Sequence, residues 1–282
     1  MKKGRASRTA ELVCMGRALA HGRTSVSRFS DPTALALLPE DTRASVERVR
    51  AGEAPRGLRG HLRRTYLDAQ CKTMIARTVA LDDAIREAKS PQLVILGAGL
   101  DGRAWRMPEL RDVVVFEVDH ADSQRDKRKR AEALTPFARE IRFVPVDFQR
   151  DVLDDALSRA GHDLTRPTTW IWEGVVMYLT PAEVEATLAV IQRWSAPQSR
   201  LAVVYHSPAV VLRLVGGVLR ALGERLRSTF TASDMRALLG RYGFEVVSDA
   251  DMHAVSASLS PELERATRMV THQRVVVADH SR

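Results

Sequence analysis

Residues 93–102 read LVILGAGLDG, an apolar run that leads straight into a glycine turn of the form G-x-G-x-x-G. Bounded by Pro91 and Gly97, the run predicts a buried strand, and a buried strand ending in glycines is the usual opening of a βαβ unit. The glycines have a physical purpose, because a turn lying against a nucleotide-like ligand has no room for Cβ atoms. Four more apolar runs follow at 113–118, 141–146, 169–172 and 201–205, with helical stretches at 121–134, 152–160 and 181–194 between them. That alternation predicts an α/β doubly wound sheet, mostly parallel, with helices on both faces. Two final candidate strands, 244–247 and 274–278, are separated by a segment that need not form a crossover, so an antiparallel edge hairpin is expected there.

The front of the chain is different, since residues 1–90 contain no convincing strand. Leu12, Val13, Met15 and Leu19 fall near one face of a helix over 6–20. Asp31-Pro32 and Pro39-Glu40-Asp41 have the form of helix starts. A Gly/Pro/Arg turn region at 52–60 precedes a long helix over 62–88, with Tyr66, Ala69, Met74 and Val79 as buried candidates. At 282 residues the chain is close to the upper limit for one hydrophobic core. The expected organisation is one unit over 1–282, with 1–90 a helical cap or lid and 91–282 a Rossmann-like core.

Composition removes several classes. Apolar residues at 45% and charged residues at 28% exclude a disordered chain, and two cysteines, Cys14 and Cys71, exclude a disulfide scaffold. The net charge of +8 comes from 43 Lys+Arg against 35 Asp+Glu, and only six of those cations are lysines. Arginine forks suit phosphate, but these are spread along the chain, and 5% aromatic content supplies no stacking stripe, so no nucleic-acid partner is expected. The most apolar stretch outside the motifs, 209–222, is broken by Arg213 and Arg220. It is too short to span a membrane and suits a helix covering a pocket for a hydrophobic acceptor. With no signal-peptide core near the start, a cytoplasmic location is the default expectation.

The glycine turn alone fits nicotinamide, flavin or S-adenosylmethionine (SAM) binding. Its neighbours sharpen it. The second strand ends FEVD, where a carboxylate of Glu117 or Asp119 can accept hydrogen bonds from both hydroxyls of a ribose. The third ends VPVDF, where Asp147 and Phe148 suit an adenine amino group and ring face. Glu173 ends the fourth buried strand, an expensive place for an unpaired charge. His206, just past the fifth strand, and Tyr178 are candidate bases should an acceptor need deprotonation. No Tyr-x-x-x-Lys set supports nicotinamide chemistry, and no metal-ligating set is assigned.

Taken together, VILGAGLDGRAW, FEVDHADSQRDKRKR, VPVDF and WIWEGVVMYLT resemble the leucine carboxyl methyltransferase-like family of SAM-dependent enzymes. That family includes protein phosphatase carboxyl methyltransferases and polyketide O-methyltransferases of the tetracenomycin type. The resemblance is good over roughly 60–195 and loose elsewhere. Where the family carries an Arg-Thr-Arg-like segment, this chain has Ala76-Arg77-Thr78-Val79, so the second arginine is a valine. The resemblance implies SAM as cofactor, with its carboxylate on Arg77, its methionine part along Gly97 and Gly99, and its ribose on Asp119. Asp147 and Phe148 would frame the adenine, and Glu173 would lie by the amino group. It also implies methyl transfer to a carboxylate or hydroxyl oxygen of a small natural product. A nicotinamide-dependent oxidoreductase and an RNA-modifying methyltransferase are the alternatives.

Overall fold

The computed structural model describes residues 8–53, 57–147, 151–209 and 226–281. The apolar runs form β1 (Gln92–Leu96), β2 (Val114–Asp119), β3 (Glu140–Pro145), β4 (Thr168–Trp172) and β5 (Arg200–His206). The last two strands are β6 (Phe244–Asp251) and β7 (Gln273–His280). All seven make one sheet in the order β3-β2-β1-β4-β5-β7-β6. Strands β1 to β5 are parallel, with Leu96 opposite Val118 on one side and Trp172 on the other. Strand β7 is antiparallel to both β5 and β6, which gives the expected antiparallel pair at the edge. Two short helices, not a crossover, join that pair: α10 (Met252–Ala257) and α11 (Pro261–Thr267).

The strands read as unbroken apolar runs because both faces are covered. Leu93, Ile95, Val115, Ile171, Ala202 and Val204 point to one side. There they share a cluster with α1 (Arg8–Ala20), α2 (Ala34–Leu37) and α4 (Gly57–Ala88). Val94, Leu96, Phe116, Val118, Trp170 and Trp172 point to the other side. They pack on α7 (Leu153–Arg159), α8 (Pro181–Arg193) and α9 (Ala232–Arg241). The remaining helices are α3 (Glu40–Arg50), α5 (Arg103–Arg106) and α6 (Ala121–Ala131). Among the described residues no helix is long and apolar enough to cross a membrane.

The N-terminal helices therefore sit on one sheet face and not apart from it. Helix α1 is rotated from the expected face: Leu12 is 42% exposed, and the buried side carries Cys14, Met15, Ala18, Leu19 and the charged Arg17. In α4, Met74 and Val79 are buried as expected, whereas Ala69 is exposed and the side chain of Tyr66 lies outside the described residues. The C-terminal half of α4 is buried nearly all round. One side meets the sheet, and the other meets Val26, Phe29 and Leu263. The expected apolar helix over 209–222 also falls outside the described residues, except for Ala209.

Candidate cofactor site

Strand β1 lies between β2 and β4, so the crevice outside its carboxyl end is the point where chain connections diverge to opposite sides. Ligands of open α/β sheets bind in such crevices. Gly97 and Gly99 turn there with φ of +69° and +47°. The N–H groups of Gly97 and Ala98 both donate to Val118 O, at 2.8 and 3.0 Å, which folds the turn over the end of β2. A Cβ on Gly97 would lie 2.3 Å from Val175 Cγ2, and one on Gly99 would lie 2.9 Å from Ala10 Cβ on α1. Asp119 closes the turn: its carboxylate accepts from Gly99 N and, at 2.6 Å, from His120 N. Burial raises the Asp119 carboxyl above the ordinary range, and those two N–H groups oppose the rise.

Around this turn runs a chain of buried charge. Arg17 on α1 donates to Asp31 at 2.8 Å and to Leu100 O at 2.7 Å. Arg106 reaches toward Asp31 and pairs with Asp82 at 2.7 Å. Arg103 pairs with Asp82 at 2.8 Å, with Asp101, and with Glu173 at 3.1 Å. Arg77 Nη2 then lies 2.8 Å from the other oxygen of Glu173. None of these eight side chains is more than 11% exposed, and the four cations balance four anions. Burial would raise the Glu173 carboxyl, but Arg77, Arg103 and Arg17 outweigh it and hold the group below the usual range. Burial lowers Arg77 in spite of Glu173. The geometry leaves Arg77 with a donor in hand, since Nη2 is paired with Glu173 while Nε has no acceptor among the described residues.

Of the residues expected at the site, Arg77, Gly97, Gly99, Asp119 and Glu173 converge on this crevice. Asp147, half-buried just beyond β3, donates its backbone N–H to Asp151 Oδ2 at 2.7 Å, while Phe148 lies outside the described residues. Glu117 is a correction. It is fully buried beneath the turn, and Lys127 Nζ lies 2.7 Å from each of its carboxylate oxygens, so it faces no ligand. Its position follows from strand period: Glu117 shares a face with Asp119 but sits one pleat deeper. Tyr178, in a short 3₁₀ turn (Val176–Tyr178), has its hydroxyl 3.1 Å from Thr9 Oγ1 on α1.

His206 does end β5, facing the side of α4 and Arg77, but as a weak base. Burial first, then His272 and Arg77, push its pKa down to about 3. The rings of His206 and His272 lie 5.7 Å apart. The residues missed from sequence are Arg17, Asp31, Asp82, Asp101, Arg103 and Arg106. Asp101 stands inside the glycine motif and Arg103 directly after it, and Asp82 follows Arg77 on the same helix, so a signal existed for these three. Nothing local marks Arg17 or Asp31.

The arrangement fits SAM on observations of this chain alone. The buried Nε of Arg77, which has no acceptor among the described residues, suits a carboxylate, Glu173 an ammonium and Asp119 a diol. Fold and site together define a class I SAM-methyltransferase architecture. A DUF574 family protein from Streptomyces avermitilis superposes with a TM-score of 0.59 at 14% identity, covering 97% of each chain. A putative methyltransferase from Thermobifida fusca gives 0.56 at 16% identity, covering 100% of this chain and 97% of that one. At such identities the likeness speaks for the fold alone. In sequence, residues 10–192 match the leucine carboxyl methyltransferase family, and the chain belongs to it. Named relatives include a putative SAM-dependent methyltransferase of Mycolicibacterium gilvum, 40% identical over 59% of this chain and 54% of that protein. Another, from Frankia alni, is 36% identical over 67% of this chain and 65% of its own length. The matched part thus spans between about half and two thirds of the length of these relatives.

Proposed function

We propose that this protein is a SAM-dependent methyltransferase that places a methyl group on an oxygen of a small, largely apolar natural product. The observation that carries the proposal is the opposed pair at the end of β4, where the buried Nε of Arg77 has no acceptor among the described residues beside an ionised Glu173. A zwitterionic amino-acid tail answers both groups at once, its carboxylate on the guanidinium and its ammonium on the carboxylate. Charge-assisted hydrogen bonds of this kind contribute about 1.5–3 kcal/mol each. In this reading Asp119 accepts from the ribose hydroxyls and Asp147 from the adenine amino group. When bound, SAM supplies a methyl group on a positively charged sulfur, ready for in-line displacement. The chain supplies position and alignment, effects that account for roughly 7–11 kcal/mol of a barrier when two reactants are held in line.

Between the two oxygen acceptors, a carboxylate has the better support. It is ionised already and needs no base, whereas a hydroxyl gains roughly 10²–10⁴ in rate from one. His206, with its pKa pushed down to about 3, is too weak a base to serve a phenol. The family matched over 10–192 is itself named for carboxyl methylation. A small natural product, in place of a protein terminus, is supported by the resemblance to polyketide O-methyltransferases.

Calorimetry with S-adenosylhomocysteine (SAH), the demethylated cofactor, is the direct test. Binding is expected, with a rise in melting temperature that Asp119→Ala abolishes and that NAD does not reproduce. Absence of both SAM and SAH binding would overturn the proposal. With acceptor candidates offered as matched acid and phenol pairs, the expected product is a base-labile methyl ester.

A further inference from the structure

Arg103 is a buried cation next to the proposed ammonium site, and that raises a difficulty. A guanidinium carries five donors and normally clamps a neighbouring carboxylate with two of them. A clamp on Glu173 would consume the charge that the ammonium of SAM needs. The structure shows Arg103 held otherwise. Its Nε donates to Asp82 Oδ1 at 2.8 Å, and its Nη1 is divided between Asp101 and Glu173, reaching Glu173 at 3.1 Å. Asp82 is fully buried and saturated: it accepts from Arg103 Nε and from Arg106 Nη1 and Nη2, the last two at 2.7 and 2.8 Å.

We propose that Asp82 is a positioning residue that limits Arg103 to one shared hydrogen bond with Glu173, short of a two-point clamp, and so leaves Glu173 able to accept the ammonium of the cofactor. The inference rests on reading Arg77 and Glu173 as the site of the amino-acid tail. Asp82 and Arg77 stand on one rigid helix, five residues apart, or about 7.5 Å of rise. Helix α4 thereby sets both guanidinium neighbours of Glu173, Arg77 by direct contact and Arg103 through Asp82. The other charged groups facing the pair are Arg17 from α1 and Asp101 from the glycine turn, with Asp31 beyond Arg106. Losing the Asp82 charge would leave four buried cations against three anions. Low polarity magnifies that surplus, and Arg103, freed of its Nε partner, is then expected to turn from its single 3.1 Å contact into a two-point clamp on Glu173.

Two ligands separate positioning from mere support of the fold. SAH carries the adenosine half and the amino-acid tail, and 5′-methylthioadenosine carries the adenosine half alone. In Asp82→Asn the Kd for SAH is expected to rise about tenfold or more, while that for methylthioadenosine stays within about twofold. Arg103→Lys, which keeps the charge but loses the fork, should give the same signature should Asp82→Asn fail to fold. Asp82→Glu should restore most of the SAH affinity. Equal weakening of both ligands, or unchanged SAH affinity, would overturn the inference. If the unsubstituted protein fails to prefer SAH over methylthioadenosine, the tail site itself is wrong, an outcome distinct from a preference that survives Asp82→Asn.

Discussion

Gly97 is fixed by two separable constraints, its positive φ and the Val175 methyl that a Cβ would strike. Gly22 has nearly the same φ, +71°, with nothing within 4 Å of where a Cβ would lie, so it isolates the first constraint. Left-handed backbone costs a residue with a Cβ roughly 1–2 kcal/mol. Gly22→Ala should lose about that much in urea unfolding, and Gly97→Ala clearly more, with loss of SAH binding. His206 predicts a pH dependence. Its folded pKa is depressed from 6.5 to about 3, so between these values the unfolded chain binds the extra proton. Stability is complete above pH 6.5 and falls as pH drops toward 3, by on the order of a few kcal/mol. His206→Gln should flatten that part of a stability–pH curve measured by urea titration. Such details were only partly legible beforehand. The places of Asp119 and Glu173 at strand ends could be read from apolar runs, but the basicity of His206 could not, because desolvation is a property of what surrounds a residue in space.

At the scale of elements, capping and docking decide which helices are secure. Helix α8 begins with a complete capping box: Thr180 Oγ1 accepts from Glu183 N, and Glu183 Oε2 accepts from Thr180 N at 2.6 Å. Thr180→Ala should cost about 1 kcal/mol in denaturant unfolding. Helix α1 is held differently, by burying Arg17 against Asp31 and Leu100 O. Arg17→Ala would leave Asp31 short of its partner in the interior, at a cost of about 3–5 kcal/mol. It should also speed hydrogen exchange at the glycine loop, since Leu100 O loses a donor. Strand and helix positions were close to expectation because apolar period and turn residues are local signals. The face of α1 was not, because Leu12 and Arg17 exchange their usual places only when a charged partner waits in the interior.

In the whole molecule, one apolar cluster joins Cys14 and Leu37 of the front helices to Ile95, Val204 and Val275 of the sheet. Cap and core are therefore expected to unfold together. Tryptophan fluorescence, from Trp170 and Trp172 in the sheet, and far-ultraviolet circular dichroism should report one coincident transition. Saturation with SAH at about 100 times its Kd should raise the stability of that transition by about 2.7 kcal/mol. The sequence by itself determined the alternating α/β sheet, the glycine turn, the carboxylates at strand ends and the family, because each is written in short, contiguous patterns. Only the tertiary structure decided that Glu117 is spent on Lys127, that α1 closes over Gly99, and that four arginines and four carboxylates from five separate segments balance around Glu173. The reason is physical: charge pairing in an interior depends on distance and desolvation, and residues 17, 31, 77, 101 and 173 become neighbours only once the sheet and the helices on it have closed.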